Sequence, residues 1–305
     1  MKIAVILTVH NRREKTVSCL QRLFAALNVY NAGGQAQETV ELTLYVTDDG
    51  CTDGTAEAVR REFAVHDVHI IQGNGQLYWA GGMRKAWRAA IDSGTPWDYY
   101  LLLNDDTYVY DNVFAQLFEA IDYGRQLTGR QGLASGITCQ PGQPEVTTYG
   151  GLNFANKTRG RQVLVQPKGV PQRIDLTNAN ILLVHASVVE QIGIFHEGFV
   201  HSCADNDYSM TASRKGIATY STSAVCGECE RDHRSQEEEI KQLMQMSLAE
   251  RRRYVDSPTH SDSDYLLFVR RNLTLRYPMA WLLRTLRLYV PGLYYTITNL
   301  RGVYK

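Results

Sequence analysis

Long hydrophobic runs, a disulfide framework and internal repeats are all missing from this 305-residue sequence. The apolar start at residues 2–9 is followed at once by charge, is too short to span a bilayer and leads to no small-residue cleavage site. Six cysteines are scattered without disulfide-framework spacing. These absences argue against a membrane-spanning protein and a small secreted scaffold. We expect the N-terminal segment to be the first buried strand of a cytoplasmic protein.

Acidic residues are missing from the end of the chain, because none follows Asp264. The whole chain has 32 basic and 32 acidic residues, and seven of the basic ones lie beyond Asp264. The first 264 residues therefore carry 25 basic against 32 acidic residues, a net charge of −7. An acidic body without a basic reading face argues against nucleic-acid binding. The seven basic residues are Arg270, Arg271, Arg276, Arg284, Arg287, Arg301 and Lys305.

Strand-like and helix-like segments alternate through the first half of the chain. Apolar residues make up 44% and charged residues 21% of the sequence, which is typical of a globular protein with a buried core. The alternation predicts βαβ units and an α/β fold with a mainly parallel sheet. Strands are predicted at residues 2–9, 41–47, 68–71 and 99–103, and helices at 13–29, 55–63, 83–91 and 111–123.

The second half of the chain is less regular. Residues 132–169 interleave Gly, Thr and Gln with short β-type runs, which predicts irregular strands or a hairpin. An apolar strand at 181–184 is followed by a helix that runs to Ile192, and another helix is predicted at 205–215. The charged segment 235–253 predicts one long helix with an exposed face.

Acidic clusters follow two of the predicted strands: Asp48-Asp49 comes after the second, and Asn104-Asp105-Asp106 after the strand at 99–103. Ligands of open α/β sheets bind beyond the carboxyl ends of the strands. Carboxylates there suit a hard divalent cation, or accept hydrogen bonds from a pyrimidine or a ribose. Turn formation and helix capping are the alternative for both clusters.

A glycine-rich segment, residues 73–82, precedes a helix that carries Arg84, Lys85 and Arg88. Such a backbone with cationic side chains suits phosphate binding, although an ordinary tight connection gives the same pattern. Further along, Asp205 and Asp207 open a predicted helix. Either can be a general base for an acceptor hydroxyl, or both can simply complement the helix dipole.

Cys226 and Cys229 form a single CxxC pair, with His233 four residues beyond it. A structural zinc site normally has a second ligand pair, so zinc is the less favoured interpretation. The pair has no thioredoxin-like context that would favour a redox role.

Taken in order, these motifs resemble glycosyltransferase family 2, whose members are inverting enzymes with a GT-A fold. The resemblance spans about residues 2–272: Thr-Val-His-Asn-Arg after the first strand, Asp-Asp-Gly-Cys-Thr-Asp-Gly-Thr, Gly-Asn-Gly with Ala-Gly-Gly, Leu-Asn-Asp-Asp-Thr, Asp-Asn-Asp and Phe-Val-Arg-Arg-Asn. It implies a Rossmann-like, mainly parallel sheet flanked by helices. The implied division is a GT-A domain at 1–234, with a nucleotide-sugar half at about 1–110 and an acceptor half at 111–234, and a helical extension at 235–305. Asn in the second cluster and Ala-Gly-Gly in the loop look most like bacterial rhamnosyltransferases of surface polysaccharide synthesis.

The resemblance also implies roles for individual residues. Asp205 takes the position of the catalytic base, with Asp207 as its supporting carboxylate or the alternative base. Asp49 would contact the pyrimidine and Thr8 would line the nucleotide pocket. A divalent metal, Mg²⁺ or Mn²⁺, would be bound by Asp106 and Asn104, with His233 as a further ligand. The implied nucleotide-binding set is Thr8, Val9, Asn11, Arg12, Asp48, Asp49, Gly81, Arg84 and Asp105.

Two departures from the family pattern bear on these roles. Ala204 precedes the base where the family often has Glu, and the stretch 226–229 lacks the metal-binding His of many members. The implied reaction is sugar transfer from a UDP or dTDP sugar to a hydroxyl of a glycan or lipid-linked oligosaccharide. A catalytically silent carbohydrate- or partner-binding module on the same fold is one alternative. A sugar nucleotidyltransferase is the other, although the glycine-rich phosphate loop expected after its first strand is missing.

The chain beyond Tyr265 is rich in Leu, Tyr and Arg. Apolar and aromatic residues interleaved with arginines are typical of an interfacial helix on an anionic leaflet. Pro291-Gly292 breaks the segment, so we expect it to lie on the inner face of the cell membrane. The alternative is a helix packed on the domain, with its arginines solvated or paired with the acidic body.

Overall fold

The computed structural model describes residues 1–33, 38–231, 236–260 and 262–300. Its strands are β1 (Lys2–Val9), β2 (Glu41–Asp48), β3 (Asp67–Gln72), β4 (Tyr99–Leu103), β5 (Tyr108–Val109), β6 (Leu133–Gln140), β7 (Gln143–Tyr149), β8 (Gly151–Asn156), β9 (Arg161–Leu164), β10 (Gln172–Ile174), β11 (Leu176–Thr177), β12 (Ile181–His185) and β13 (Thr219–Glu228). Its α-helices are α1 (Arg13–Ala32), α2 (Thr55–Glu62), α3 (Tyr78–Asp92), α4 (Val113–Thr128), α5 (Ala186–Ile192), α6 (Ala204–Arg214), α7 (Gln236–Gln245), α8 (Leu248–Val255), α9 (Asp262–Asn272), α10 (Tyr277–Tyr289) and α11 (Pro291–Leu300).

The main sheet has the strand order β10-β13-β6-β12-β4-β1-β2-β3. Its first-half strands β3, β2, β1 and β4 are parallel, as the βαβ pattern predicts. Strand β12 is antiparallel to both β4 and β6, and β13 returns parallel to β6. A small second sheet joins β11, β8 and β9 within the irregular segment. The predicted α/β architecture, a mainly parallel sheet flanked by helices, is confirmed.

The sheet is buried on both faces, and β1 shows why its sequence is continuously apolar. Ile3, Val5 and Leu7 pack into one core with α1, α2 and α4. Ala4 and Ile6 point into a second core with α3, α5, α6 and α9. Since successive strand residues face opposite sides, a strand that is covered on both faces needs apolar residues at every position.

The charged segment 235–253 is not one helix, so that prediction is wrong. Helix α7 ends at Gln245, and α8 begins after Ser247. The Ser247 hydroxyl accepts from the Glu250 N–H at 3.3 Å, and the Glu250 carboxylate accepts from the Ser247 N–H at 2.8 Å. This capping box starts a new helix inside a stretch that is otherwise suited to a single one.

The C-terminal helices do not all stand apart from the main body. Phe268, Val269 and Leu273 are buried in the second core, so α9 belongs to the packing around α3 and α6. The break at Pro291 is present, with the proline opening α11. No helix in the described ranges is both long and apolar enough to cross a membrane. The division at residue 234 stays a prediction.

Candidate functional site

The candidate site lies where β1, β2 and β4 end and the antiparallel β12 begins. The backbone ties these ends together: the Asp49 N–H donates to the Val9 carbonyl at 3.0 Å, and the Asn104 N–H donates to the Asn180 carbonyl at 3.1 Å. Both predicted acidic clusters therefore lie at the same carboxyl end of the parallel strands, where an open α/β sheet has its ligand-binding crevice.

Asp49 holds the glycine-rich segment. Its carboxylate accepts backbone N–H bonds from Gly75 at 2.8 Å, Leu77 at 2.9 Å and Tyr78 at 3.0 Å, and the residue is 4% exposed. Asp48 accepts from the Cys51 N–H at 2.8 Å and so shapes the turn after β2. Both carboxylates build the crevice walls, while their predicted contact with a nucleotide stays a prediction.

The segment 73–82 is not a loop throughout, because α3 begins at Tyr78 and includes both Gly81 and Gly82. Gly82 lets α3 lie directly on β1, since an added Cβ would come 2.0 Å from the Thr8 hydroxyl oxygen. The Thr47 hydroxyl also donates to the Gly82 carbonyl at 2.8 Å. Close packing between helix and strand explains this glycine without any bound phosphate.

The second acidic cluster is paired with Arg12. Its guanidinium lies 2.6 Å from Asp106 Oδ2 and 3.5 Å from Asp105 Oδ1. Asp105 also accepts from the Thr16 hydroxyl at 3.3 Å, and burial raises its pKa to about 6 against the lowering effect of Arg12. Asp106 is the more exposed of the two carboxylates, with 17% of its side chain accessible. The side-chain oxygen of Asn104 accepts a hydrogen bond from Trp79 Nε1 at 2.8 Å.

The two cysteines of the CxxC pair have different surroundings. Cys226 donates to the Ala224 carbonyl at 3.5 Å, whereas Cys229 Sγ lies 3.9 Å from Asp106 Oδ1 and accepts from Asn180 Nδ2 at 3.3 Å. Within the described ranges, no group of three or more His, Cys, Asp or Glu residues could hold a metal by itself. The predicted ligand His233 lies outside the described residues.

Asp205 sits in the first turn of α6 and faces the start of β12. Its carboxylate accepts from the Ala179 N–H at 3.0 Å and from the Asn206 N–H at 2.8 Å. Burial is the main effect on this group and raises its pKa to about 6. Residues 179 and 180 thus connect Asp205 with the cluster after β4, because Asn180 contacts both Asn104 and Cys229.

Asp207 is turned away from that connection. Its Oδ1 accepts from Arg271 Nε at 2.9 Å and from Asn272 Nδ2 at 2.7 Å, and the residue is 2% exposed. These contacts join α6 to the end of α9. They suit a supporting carboxylate better than an alternative base that meets substrate.

Three non-glycine residues around the crevice have positive φ: Asn11 at 51°, Tyr78 at 54° and Cys203 at 61°. Asn11 is itself a predicted site residue, Tyr78 donates its N–H to Asp49, and Cys203 lies two residues before Asp205. Side chains other than glycine rarely adopt this conformation, and such strain clusters at functional sites. Asn11 is held by its side-chain oxygen, which accepts from the Thr52 N–H at 2.7 Å. The ring of Tyr78 meets His201, which lies just before Cys203, edge-on with centroids 6.3 Å apart.

Arg84 holds a loop instead of an open phosphate site. Its guanidinium donates to the carbonyl oxygens of Phe199 at 2.7 Å and His196 at 3.2 Å, and pairs with Glu197 at 3.2 Å. Sequence reasoning missed Trp79, His201 and Asp264 as parts of this site, and it considered Cys229 only as a zinc or redox residue. Trp79 lies in the glycine-rich motif and was visible there, whereas Asp264 is distant in the chain and carried no local signal.

Residues 4–134 match the family model described as Glycosyl transferase family 2. Among solved structures, the chain is similar to S. aureus TarS, with 16% identity, a TM-score of 0.48 and coverage of 89% of this chain and 43% of that chain. It is also similar to TarS 1-349 in complex with UDP-GlcNAc, with 15% identity, a TM-score of 0.49 and coverage of 90% and 73%. TarS 1-349 in complex with UDP gives 17% identity, a TM-score of 0.48 and coverage of 90% and 72%.

The chain spans less than half the length of the longest of these TarS chains. No curated protein matches it. The family match covers the predicted nucleotide-sugar half, including the acidic clusters after β2 and β4. The match to glycosyl transferase family 2 thus holds for residues 4–134 of the chain.

Proposed function

We propose that the protein is an inverting glycosyltransferase, which moves a sugar from a nucleotide-diphosphate donor to a hydroxyl of a glycan or lipid-linked oligosaccharide. The observation that carries the proposal is the buried Asp205, joined through residues 179–180 to Asn104, which opens the acidic cluster at the end of β4. This arrangement sets a basic carboxylate beside a polar crevice that is open to a donor. A UDP or dTDP sugar is the proposed donor. Bacterial surface polysaccharide, with a deoxyhexose such as rhamnose as the sugar, is the proposed setting.

Asp205 acts as general base in the proposed reaction. It takes the proton of the acceptor hydroxyl while that oxygen forms a bond to the anomeric carbon. The bond from this carbon to the diphosphate oxygen breaks on the opposite face, so one displacement inverts the configuration. Because burial raises the pKa of Asp205 to about 6, the carboxylate is ionised at neutral pH and still more basic than an ordinary aspartate.

A divalent metal fits the crevice only with help from the donor. Asp106 supplies one partly exposed carboxylate, and the Asn104 side-chain oxygen keeps a second lone pair beside its bond to Trp79. Mg²⁺ commonly uses one or two carboxylates together with substrate phosphates. When bound, the metal would neutralise charge on the diphosphate leaving group. Arg12 would exchange part of its contact with Asp106 for the diphosphate.

The first experiment measures sugar transfer by wild type and Asp205→Asn with a panel of UDP and dTDP sugars. We expect the variant to lose about 10²–10⁴-fold in turnover, the usual contribution of general base catalysis, while donor affinity is kept. Asp98→Asn is the control, since Asp98 lies at the amino-terminal end of the parallel strands, opposite the candidate site, and accepts from the Lys2 N–H. A fully active Asp205→Asn enzyme would show that the base is another group.

Nucleotide and metal binding are tested by thermal unfolding with UDP, dTDP and GDP, each with and without Mn²⁺. Ligand at about 100 times its Kd stabilises the fold by roughly 2.7 kcal/mol. We expect a metal-dependent shift with one pyrimidine diphosphate that is reduced in Asp106→Asn and kept in Asp111→Asn, an exposed neighbour. If none of the nucleotides shifts the unfolding temperature, the result would favour the silent binding module.

The surface around α10 suits a lipid-linked acceptor. Leu275 is 97% exposed, and Trp281 and Leu293 are about half exposed. Three of the tail arginines pair with acids of the body, so they do not supply the charge for an anionic leaflet: Arg271 with Asp207, Arg284 with Asp256 and Arg287 with Asp262.

The β8–β9 hairpin supplies that charge. Its tip exposes Lys157, Arg159 and Arg161. The tip meets the α10 surface at Gly160, where an added Cβ would overlap the guanidinium of Arg276, the neighbour of Leu275. We therefore propose that this face of the protein lies on the inner surface of the cell membrane.

A further inference from the structure

Asp264 is a buried carboxylate that none of the proposed chemistry uses. It lies in the first turn of α9 and is 2% exposed. Its oxygens accept three consecutive backbone N–H groups: Val200 at 3.1 Å, His201 at 2.8 Å and Ser202 at 2.8 Å. Successive N–H groups that converge on one anion form a nest, which fixes the backbone that donates them.

The backbone fixed by Asp264 leads directly into the proposed base. Ser202 is followed by Cys203, whose φ of 61° turns the chain into α6, and Asp205 is the second residue of that helix. A non-glycine residue keeps this conformation only when its surroundings hold it there. The carboxylate of Asp264 gives such support on the N-terminal side of Cys203, because it binds the N–H groups of the three residues before that cysteine.

The same loop is held from the other side by α3. Arg84 binds the carbonyl oxygens of His196 and Phe199, and the Ala80 N–H donates to the Val200 carbonyl at 3.1 Å. The loop's carbonyl groups are thus bound from α3, whereas its N–H groups at 200–202 are bound from α9. Losing Asp264 would leave three partly buried N–H groups without their acceptor, and the loop would have to move to satisfy them.

Helix α9 also contacts α6 at a residue that follows the proposed base. Arg271 and Asn272, at its far end, bind Asp207, which is two residues after Asp205. The two ends of α9 therefore hold the chain on both sides of Asp205. The end near Asp264 fixes the entry to α6, and the end near Arg271 fixes its first turn.

We propose that Asp264 is a positioning residue for the base, which sets the orientation of Asp205 towards the acceptor by fixing residues 200–202. The inference rests on the proposed function of Asp205. Helix α9, which is far along the chain from the nucleotide half, would then contribute to the chemical step and have no role in donor binding.

The test compares Asp264→Asn with Asp262→Asn in the full chain. Asp262 lies on the same helix two residues earlier, is also largely buried and pairs with Arg287 instead of the loop. We expect Asp264→Asn to lower kcat at least tenfold with donor KM within twofold of wild type. Its kcat/KM profile should also shift its acidic limb to lower pH, because a loosened loop admits water to Asp205. Asp262→Asn should lose stability and keep both kcat and the pH profile. A wild-type kcat and profile for Asp264→Asn would overturn the proposal.

Amide hydrogen exchange separates this inference from the proposed function, because it needs no turnover. If Asp264 positions the loop, the peptide covering residues 200–208 exchanges faster in Asp264→Asn and at the wild-type rate in Asp262→Asn. Unchanged exchange in Asp264→Asn would overturn the inference even in an active enzyme. If Asp264→Asn has no cooperative unfolding transition, Asp264→Glu, which keeps both carboxylate oxygens and displaces them by one methylene group, takes its place in both measurements.

Discussion

At the scale of single residues, burial sets the chemistry of the proposed base. The pKa of Asp205 is raised to about 6 because the carboxylate is removed from water, against the lowering effect of its backbone hydrogen bonds. A general base works only when ionised, so kcat/KM should fall about tenfold per pH unit below about pH 6. A pH–rate profile from pH 4.5 to 8.5 measures this limb. An acidic limb with its midpoint near pH 4 would show that the base is exposed to solvent.

The burial of Asp205 also lowers the unfolding free energy at a pH where the carboxylate is ionised. A carboxyl whose pKa is raised on folding destabilises the folded state above its folded pKa, and this cost disappears as the pH falls below the unfolded value of about 3.9. The unfolding free energy of Asp205→Asn minus that of wild type should therefore be roughly 1 kcal/mol larger at pH 8 than at pH 5. Urea unfolding at the two pH values gives the difference. An equal effect at both would mean that Asp205 has an ordinary pKa.

Asp49 should matter for the fold as much as for any ligand. Asp49→Asn replaces one of the two oxygens that accept from the N–H groups of Gly75, Leu77 and Tyr78 with an NH2 donor, so we expect a loss of about 2 kcal/mol or more in unfolding free energy. Asp53→Asn, in the same motif, changes an exposed side chain that accepts from the Thr55 N–H in the turn before α2, and it should cost no more than about 0.5 kcal/mol because asparagine keeps an oxygen acceptor. Chemical denaturation compares the two. A milder effect for Asp49→Asn than for Asp53→Asn would contradict the assigned role.

At the scale of elements, the packing of α3 on β1 depends on one of two adjacent glycines. A Cβ on Gly82 would lie 2.0 Å from the Thr8 hydroxyl oxygen, whereas a Cβ on Gly81 would meet Leu77 at an ordinary 3.4 Å. Gly82→Ala should therefore destabilise the fold by about 1–3 kcal/mol through overpacking. Gly81→Ala should be neutral or stabilising by up to about 1 kcal/mol, because alanine favours a helix. Thermal unfolding of the pair measures both, and similar values would refute the close approach.

Element positions were predictable where the pattern is local. The strand at residues 99–103 has the predicted bounds, and β2 is one residue longer than predicted, because buried strands are recognisable from apolar runs bounded by polar residues. The start of α3 was missed because Tyr78 enters the helix from a positive φ that no propensity favours. The division between α7 and α8 was missed although Ser247 and Glu250 form a recognisable capping box.

At the scale of the whole molecule, the α10 surface and the β8–β9 hairpin should act together on membranes. We expect the full chain to bind vesicles with anionic lipid more tightly than neutral ones, and less tightly at high salt. Leu275→Ser with Trp281→Ser should lower binding at least fivefold, as should Lys157→Glu with Arg159→Glu. Val65→Ser, at a residue that is 90% exposed on another part of the body, should have no effect.

Vesicle cosedimentation measures all of these variants. Equal binding to neutral and anionic vesicles would contradict the role of the hairpin. A change in oligomeric state in the Leu275→Ser, Trp281→Ser variant would show that the apolar surface instead meets a second copy of the chain.

The sequence by itself determined the alternation of strands and helices, the placement of acids at the carboxyl ends of β2 and β4, and the carboxylates that open α6. These features follow from local periodicity and from the parallel sheet that periodicity implies. Only the tertiary structure decided what each carboxylate contacts. Asp49 binds a segment that starts 26 residues away, and Asp207 binds a helix end 64 residues away. Asp264 fixes the loop before the base from a distance of 62–64 residues. A carboxylate pairs with whichever donors folding brings to it, and no local pattern in a single sequence identifies those donors.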